Sequence, residues 1–306
     1  MISIVIPIYN EEENIQELYR RTIEALKSFT SDFEIICVDD GSKDNTYKKL
    51  LACNSIDNRF KIISLSRNFG HQRAILAGLS VTLGECIGIM DGDLQDPPEL
   101  FQNFYEKIME GFDVVYAVRK TRKESWFKKT AYWSFYRLLS AVSETKIPMD
   151  SGDFCLMKRV VLDQMLGMPE QSLFLRGLRS WVGYKQIAIE YDRDERKAGK
   201  PKFNLKRMFN LAYSGLFSFS NFPIKFLGRL GLTIILFSII YGGIVIFKRI
   251  FYPDFIPEGF TTLILSILFL SGVQLISLRI LGEYIVRTYD ESKRRPLFII
   301  KDKHLD

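Results

Sequence analysis

An apolar run beginning at Cys86 stops on two carboxylates, Asp91 and Asp93, with only Gly92 between them. Residues two apart on an extended chain point to the same side, and a glycine lets the backbone turn closely around whatever the pair holds. Two hard oxygen ligands at a strand end suit Mg2+ or Mn2+ that shares its remaining positions with phosphate. The stretch continues through Gln95 into Asp96, Pro97 and Pro98. Asp before Pro-Pro also starts a helix well, so a capping role stands beside the metal role. No Gly-x-Gly-x-x-Gly and no P-loop pattern occurs, which argues against a dinucleotide cofactor. The only two histidines are His71 and His304, which gives little support to a histidine-centred zinc site or a Ser-His-Asp triad.

The elements that must position this pair are legible around it. β-rich runs at 2–7, 34–38, 61–65, 85–90 and 114–118 alternate with helical patterns at 12–29, 46–52, 71–83 and 98–109. Alternating units of this kind predict an α/β fold with a mostly parallel, doubly wound sheet. The first four strands end in polar residues: Tyr9-Asn10-Glu11, Asp39-Asp40-Gly41-Ser42, Ser66-Arg67-Asn68 and the Asp91/Asp93 pair. Polar strand ends on one rim define one pocket. Asp39, beside an aromatic such as Tyr9, suits a base or ribose. Asp40 and Ser42 read better as caps of the helix that opens near Thr46.

With 306 residues and 47% apolar content the chain can bury a full core. Its four cysteines form no C-x-x-C pair and read as buried hydrophobes in a reducing compartment. The N-terminal Met-Ile-Ser-Ile-Val-Ile-Pro reads as a first strand rather than a signal peptide. Basic residues concentrate at 119–129 and 193–207. Two uncharged stretches, Leu230–Phe247 and Gly259–Leu278, are each long enough to cross most of a bilayer as helices. Lys225 and Arg229 before the first stretch, and Arg287, Lys293, Arg294 and Arg295 after the second, place both termini in the cytoplasm by the positive-inside rule. Between Asn204 and Phe226, apolar and aromatic residues interleave with Lys206, Arg207 and Lys225, as in interfacial helices lying on a membrane. The expected plan is therefore a cytoplasmic catalytic domain over 1–203, amphipathic helices over 204–226, two transmembrane helices over 227–285 and a basic cytoplasmic tail over 286–306.

Ile-Pro-Ile-Tyr-Asn-Glu, Val-Asp-Asp-Gly-Ser, Leu-Ser-Arg-Asn-Phe-Gly, Asp-Gly-Asp-Leu-Gln-Asp-Pro-Pro-Glu and Arg-Gly-Leu-Arg-Ser-Trp, followed by two terminal spans, resemble the polyprenyl-phosphate glycosyltransferases of family 2. The resemblance covers essentially the whole chain. It implies a GT-A catalytic domain on the bacterial inner membrane. The reaction it implies is inverting transfer of a hexose, foremost glucose from UDP-glucose, to undecaprenyl or another polyprenyl phosphate. Aminoarabinose-type and GDP-mannose-dependent transfer are the alternatives, and a non-catalytic membrane scaffold ranks below both. By the same resemblance Pro7, Tyr9, Glu11 and Asp39, with Arg67, match donor-binding positions. Asp91, Asp93 and Gln95 match those that hold the metal and diphosphate, and Asp153 matches a proposed base. Gly92 stands where relatives often carry alanine, and Cys155 where they often carry arginine. The resemblance also implies a homo-oligomer, a tetramer being one form, and no nucleic-acid partner.

A lipid phosphate is largely dianionic at neutral pH, its second pKa being about 6, so it is a nucleophile without help from a base. Drawn to a carboxylate-rich site it needs cations, and Arg119, Arg137, Arg196, Lys200 and Lys202 are the candidates. The expected topology is directly testable: a reporter fused after Asp306 should report the cytoplasm and a cysteine label at Tyr252 the opposite side. Both on one side would mean that one apolar stretch does not cross.

Overall fold

The computed structural model of the chain describes residues 1–119, 151–168, 170, 173–191 and 259–305, with isolated helical positions at 229, 233, 236, 240, 247 and 251. Strands β1 (Ile2–Ile8), β2 (Phe33–Asp39), β3 (Phe60–Leu65) and β4 (Cys86–Ile89) form a parallel group. Every residue of β1, β2 and β4 is buried, which is why these strands read as near-continuous apolar runs rather than as an alternation. The helices between them are α1 (Ile15–Lys27), α2 (Thr46–Ile56) and α3 (His71–Leu79), and α4 (Leu100–Met109) follows β4. Beyond them come β5 (Val114–Arg119), β6 (Ser151–Lys158), α5 (Arg159–Leu166), α6 (Leu175–Trp181), β7 (Gln186–Tyr191), α7 (Gly259–Ser292) and β8 (Ile300–His304).

All eight strands join one sheet in the order β7-β5-β6-β4-β1-β2-β3-β8. It is mixed rather than mostly parallel. β6 runs antiparallel between β4 and β5, and β8 runs antiparallel along β3. The chain lays β2 and β3 to one side of β1 and returns to lay β4 on the other. Strand order therefore reverses between β1 and β4, and the crevice outside their carboxyl ends is where open α/β sheets take ligands. The core beneath that crevice is aromatic. Phe154 on β6 meets Phe101 and Phe104 of α4 at ring separations of 5.2 and 5.0 Å and Tyr191 of β7 at 5.9 Å.

Residues 286–306, expected as a tail, contain β8. Ile62 pairs with His304 and Ser64 with Asp302, and the Ser66 amide donates to Ile299 O at 2.9 Å. The second apolar stretch lies within a single 34-residue helix, α7, about 51 Å long at about 1.5 Å per residue. Within its segment Phe269–Ser292 a window of 18 residues reaches a mean hydropathy of 1.4, so the helix is long and apolar enough to cross a membrane, and none of that window is buried. It is the one such helix among the described residues. The first stretch, apart from its isolated helical positions, and the expected interfacial helices of 204–226 lie outside the described residues.

Helix α3 reaches the rim because it lies very close to the sheet. A Cβ on Gly78 would sit 2.4 Å from Val5 Cγ1 and 2.9 Å from Val38 Cγ2. Gly78→Ala should therefore overpack this face and cost about 1–3 kcal/mol. Thermal unfolding of the detergent-solubilised protein checks this, and an unchanged midpoint would contradict the close approach.

Candidate active site

The carboxylate loop leaves β4 through Met90, whose amide donates to Val5 O at 3.1 Å and keeps the strand end beside β1. The loop is tight. The Asp93 carboxylate accepts the Gln95 amide at 3.2 Å. Leu94 adopts a left-handed φ of 60° with its side chain 2% exposed, so apolar burial holds a conformation that a leucine otherwise avoids. At Gly92 a Cβ would lie 3.1 Å from Ile8 Cγ1 and 3.2 Å from Pro7 O, so alanine there needs its neighbours to give by a few tenths of an ångström. Asp96 is not a helix cap. Its buried carboxylate accepts the Tyr191 hydroxyl at 2.6 Å and ties the loop to the end of β7, while Glu99 occupies the N-cap of α4.

Asp153 lies within β6 rather than in a turn. β6 runs against β4 with Ile89 opposite Cys155, so Asp153 comes level with the loop that carries Asp91. Its carboxylate is clamped. Arg176 donates from Nε at 2.8 Å and from Nη2 at 3.2 Å, Gln72 Nε2 donates at 3.0 Å, and His71 Nε2 lies 3.3 Å away. The same His71 nitrogen is 3.5 Å from Asp91 Oδ1. Gln72 is fixed in turn, its Oε1 accepting the Leu175 amide at 3.0 Å. Burial disfavours the Asp153 anion, but the charge of Arg176 and the bonds from His71 and Arg176 hold its pKa well below the ordinary carboxylate range. Burial likewise opposes the imidazolium of His71, yet the hydrogen bond to Asp153 and the charges of Asp91 and Asp153 raise its pKa to about 9. One helical turn along α6, Arg179 is 2% exposed, next to Cys155, and stacks on the Tyr116 ring at 4.9 Å.

The charges of the cluster converge on Asp91. Burial raises its pKa, and although His71 opposes the rise, the charges of Asp96, Asp153 and Asp93 add to it. A divalent cation is the species that such a gathering of carboxylates favours. Among the described residues no three His, Cys, Asp or Glu side chains stand close enough to enclose an ion by themselves. Asp91 and Asp93, with Gln95 beside them, would hold an ion from one side and leave its other positions to a diphosphate.

On the donor side the strand ends are knitted together by side chains. Asp39 is 2% exposed and accepts the Ser42 amide at 3.1 Å and the Ser64 hydroxyl at 3.2 Å. Asp40 and Ser42, expected as caps of α2, do something else. Asp40 accepts the amides of Phe69 and Gly70 at 2.7 and 3.0 Å, which anchors the turn into α3, and Ser42 Oγ accepts the Asn10 amide at 2.9 Å. Asp44 instead accepts the Thr46 amide at 3.0 Å. Pro7 is buried in β1, Tyr9 follows it half-buried, and Glu11 accepts Asn14 Nδ2 at 2.8 Å. Arg67 is exposed and lies 4.2 Å from the Phe69 ring centroid. Arg119 ends β5, but its side chain, like Arg137, Arg196, Lys200 and Lys202, lies outside the described residues. The structure thus gathers Asp91, Asp93 and Asp153 and adds His71, Gln72 and Arg176, which sequence reasoning did not assign. Arg176 stood in a quoted motif, and His71 and Gln72 follow another directly.

Residues 3–166 match glycosyl transferase family 2. The chain is 44% identical over 302 residues to a glycosyltransferase of Synechocystis sp., covering 98% of this chain and 95% of that one. It is 43% identical over 304 residues to a prophage bactoprenol glucosyl transferase homolog of Escherichia coli, covering 98% of each. It is 41% identical over 306 residues to the bactoprenol glucosyl transferase of Shigella phage SfX, covering 99% of each. The chain belongs to glycosyl transferase family 2. It is a glycosyltransferase with a GT-A fold whose central sheet is mixed.

The tie between the carboxylate loop and β7 is separable from the chemistry. Tyr191→Phe keeps the aromatic packing on Phe154 but removes a donor from the buried Asp96, at a cost of about 1–3 kcal/mol. A lowered unfolding midpoint with weakened metal-dependent nucleotide binding is expected. Unchanged values of both would show that the bond does not hold the loop.

Proposed function

We propose that the protein transfers glucose from UDP-glucose to undecaprenyl or another polyprenyl phosphate at the cytoplasmic face of a bacterial membrane, with inversion at C1. The observation that carries this reading is full-length similarity to proteins named bactoprenol glucosyl transferase. The carboxylate pair beside the reversal of strand order supports it. So does α7, a helix whose apolar surface suits lipid.

The residues divide the work. Asp39, Tyr9, Glu11 and Pro7 flank the β1 and β2 ends, a place suited to the nucleoside. Asp91 and Asp93, with Gln95, would hold Mg2+ or Mn2+, which when bound neutralises the charge of the leaving diphosphate. The acceptor phosphate arrives as a nucleophile, so the reaction asks for no proton acceptor. Asp153 fits that requirement: bonded by Arg176, Gln72 and His71 and held as an anion, it is a poor base and a firm anchor. Arg119, Arg137, Arg196, Lys200 and Lys202 are proposed to meet the lipid phosphate.

Incubation of the purified protein with undecaprenyl phosphate and a panel of nucleotide sugars, with the product identified by mass, tests the reading. A hexosyl phospholipid formed from UDP-glucose is expected, and product only from another donor would overturn the sugar assignment. Asp93→Ala, or a chelator added to the wild type, should lower turnover by about 10³-fold or more, since a Lewis acid supplies several kcal/mol of transition-state stabilisation. Full activity in chelator would remove the metal from the mechanism.

A further inference from the structure

Arg179 is the one buried lysine or arginine among the described residues, and its guanidinium makes no ion pair with any of them. Its Nε and Nη2 have no hydrogen-bond partner either. These two nitrogens form the edge with which an arginine grips a carboxylate or a phosphate. The backbone behind them is fixed. Gln186 Nε2 donates to Arg179 O at 2.8 Å, and the side chain lies on the Tyr116 ring beside the fully buried Cys155. An arginine is always charged, so burial here keeps a cation from water with only a ring face and a thiol against it, a costly arrangement until an anion arrives. We propose that Arg179 is a further binding residue for the phosphoryl group of the lipid acceptor, gripping it with the Nε–Nη2 edge. The inference rests on the lipid-phosphate reading above and deepens it by naming a cation that the fold itself places.

Placement chooses between the phosphates of the two substrates. The nucleoside is assigned above to the β1 and β2 ends and the carboxylate pair follows β4, whereas Tyr116 and Cys155 pair with each other on β5 and β6. At about 4.8 Å per strand, β5 stands roughly 14 Å across the sheet from β1. The side away from the donor is the acceptor's. β5 ends at the same rim in Arg119, a member of the acceptor set. Asp153 and Cys155 project from one face of β6, two residues or about 7 Å apart, so an extended arginine side chain reaches the rim from Tyr116. The guanidinium then leaves the ring for the phosphoryl oxygens. Arg176, three residues earlier, is committed to Asp153, which leaves Arg179 for the incoming anion.

The test uses the full-length protein in detergent with Arg179→Met, Arg179→Gln and Arg179→Lys. Thermal unfolding is followed with farnesyl phosphate, and with farnesol as the uncharged control. UDP with Mn2+ is titrated by calorimetry, and transfer to undecaprenyl phosphate is measured by steady-state kinetics. Farnesyl phosphate should raise the wild-type midpoint more than farnesol does. Arg179→Met removes an unpaired buried charge and keeps the packing of the stem, so its own midpoint should stay or rise while the difference between phosphate and alcohol is lost. Its KM for the lipid should rise about 10- to 100-fold with UDP affinity unchanged, as expected when hydrogen bonds to a charged group are removed. Arg179→Lys should recover part of the loss, since an ammonium keeps the charge without the fork, and Arg179→Gln should not. A lowered midpoint with farnesyl phosphate binding and lipid KM within twofold of wild type marks a structural arginine and overturns the proposal. Weaker UDP binding with the lipid KM unchanged moves the cation to the donor diphosphate and overturns it too. Should Arg179→Met not fold, Arg179→Gln carries the same comparison. A wild type that neither distinguishes the two lipids nor makes a lipid-linked product refutes the lipid-phosphate reading, and this proposal with it. Farnesyl phosphate bound equally well by wild type, Arg179→Met and Arg179→Gln refutes the proposal alone.

Discussion

Mutual repulsion among carboxylates crowded onto one rim is the constraint that the rest of this structure answers. Asp91, Asp93 and Asp96 come from one loop and Asp153 from a strand, and burial makes their charges felt over several ångströms. Each is answered differently. Asp153 receives a guanidinium, an amide and an imidazole, Asp96 a buried phenol, and Asp93 a backbone amide. Asp91 faces His71 Nε2 at 3.5 Å, while burial and the charges of Asp96, Asp153 and Asp93 raise its pKa. A site prepared in this way is rigid before substrate arrives, and its residual charge is matched to a cation and the phosphates that a cation brings.

The topology explains how the cluster can exist. A purely parallel sheet would carry only strand ends to this rim, one polar residue after another in chain order. By inserting β6 against the direction of β4, the fold brings the beginning of a strand to the place where its neighbours finish. Asp153 thus stands beside Asp91 across 62 positions of sequence. Helix α6, packed on β6, then delivers Arg176 to Asp153 and Arg179 one turn deeper to the face of Tyr116.

Much of this was legible in the residues. The parallel group was, because strands buried on both faces leave unbroken apolar runs, and so was the position of the carboxylate pair just past a strand end. The antiparallel additions were not. β8 is Ile-Lys-Asp-Lys-His, an edge strand whose charges mask any alternation, and β6 opens on Ser-Gly-Asp, which reads as a turn. The caps expected of Asp40 and Ser42, and the capping alternative for Asp96, give way for a common reason. Local pattern favours a cap for a short polar residue before a helix, whereas here each side chain reaches a part of the chain distant in sequence. His71 is a plain helix-opening residue in sequence, and its place beside Asp153 and Asp91 appears only when β6 is set beside β4.

The antiparallel strand at the sheet's edge has a consequence for biosynthesis. β3 lacks its outer partner until residues 300–304 have been made, and those follow the whole of α7. An uncovered strand edge is an aggregation hazard, so the newly made domain carries one for the time that the hydrophobic helix takes to leave the ribosome. The Ser66–Ile299 bond places the closing residues beside the loop that leads to Arg67. That loop therefore gains its last support only after α7 has been synthesised. Because β8 must come back to the compartment that holds β3, the chain between β7 and β8 can pass through a bilayer only an even number of times. A transferase assembled in this order completes its sheet, and the flank of its donor loop, only once the hydrophobic part of the chain has been made.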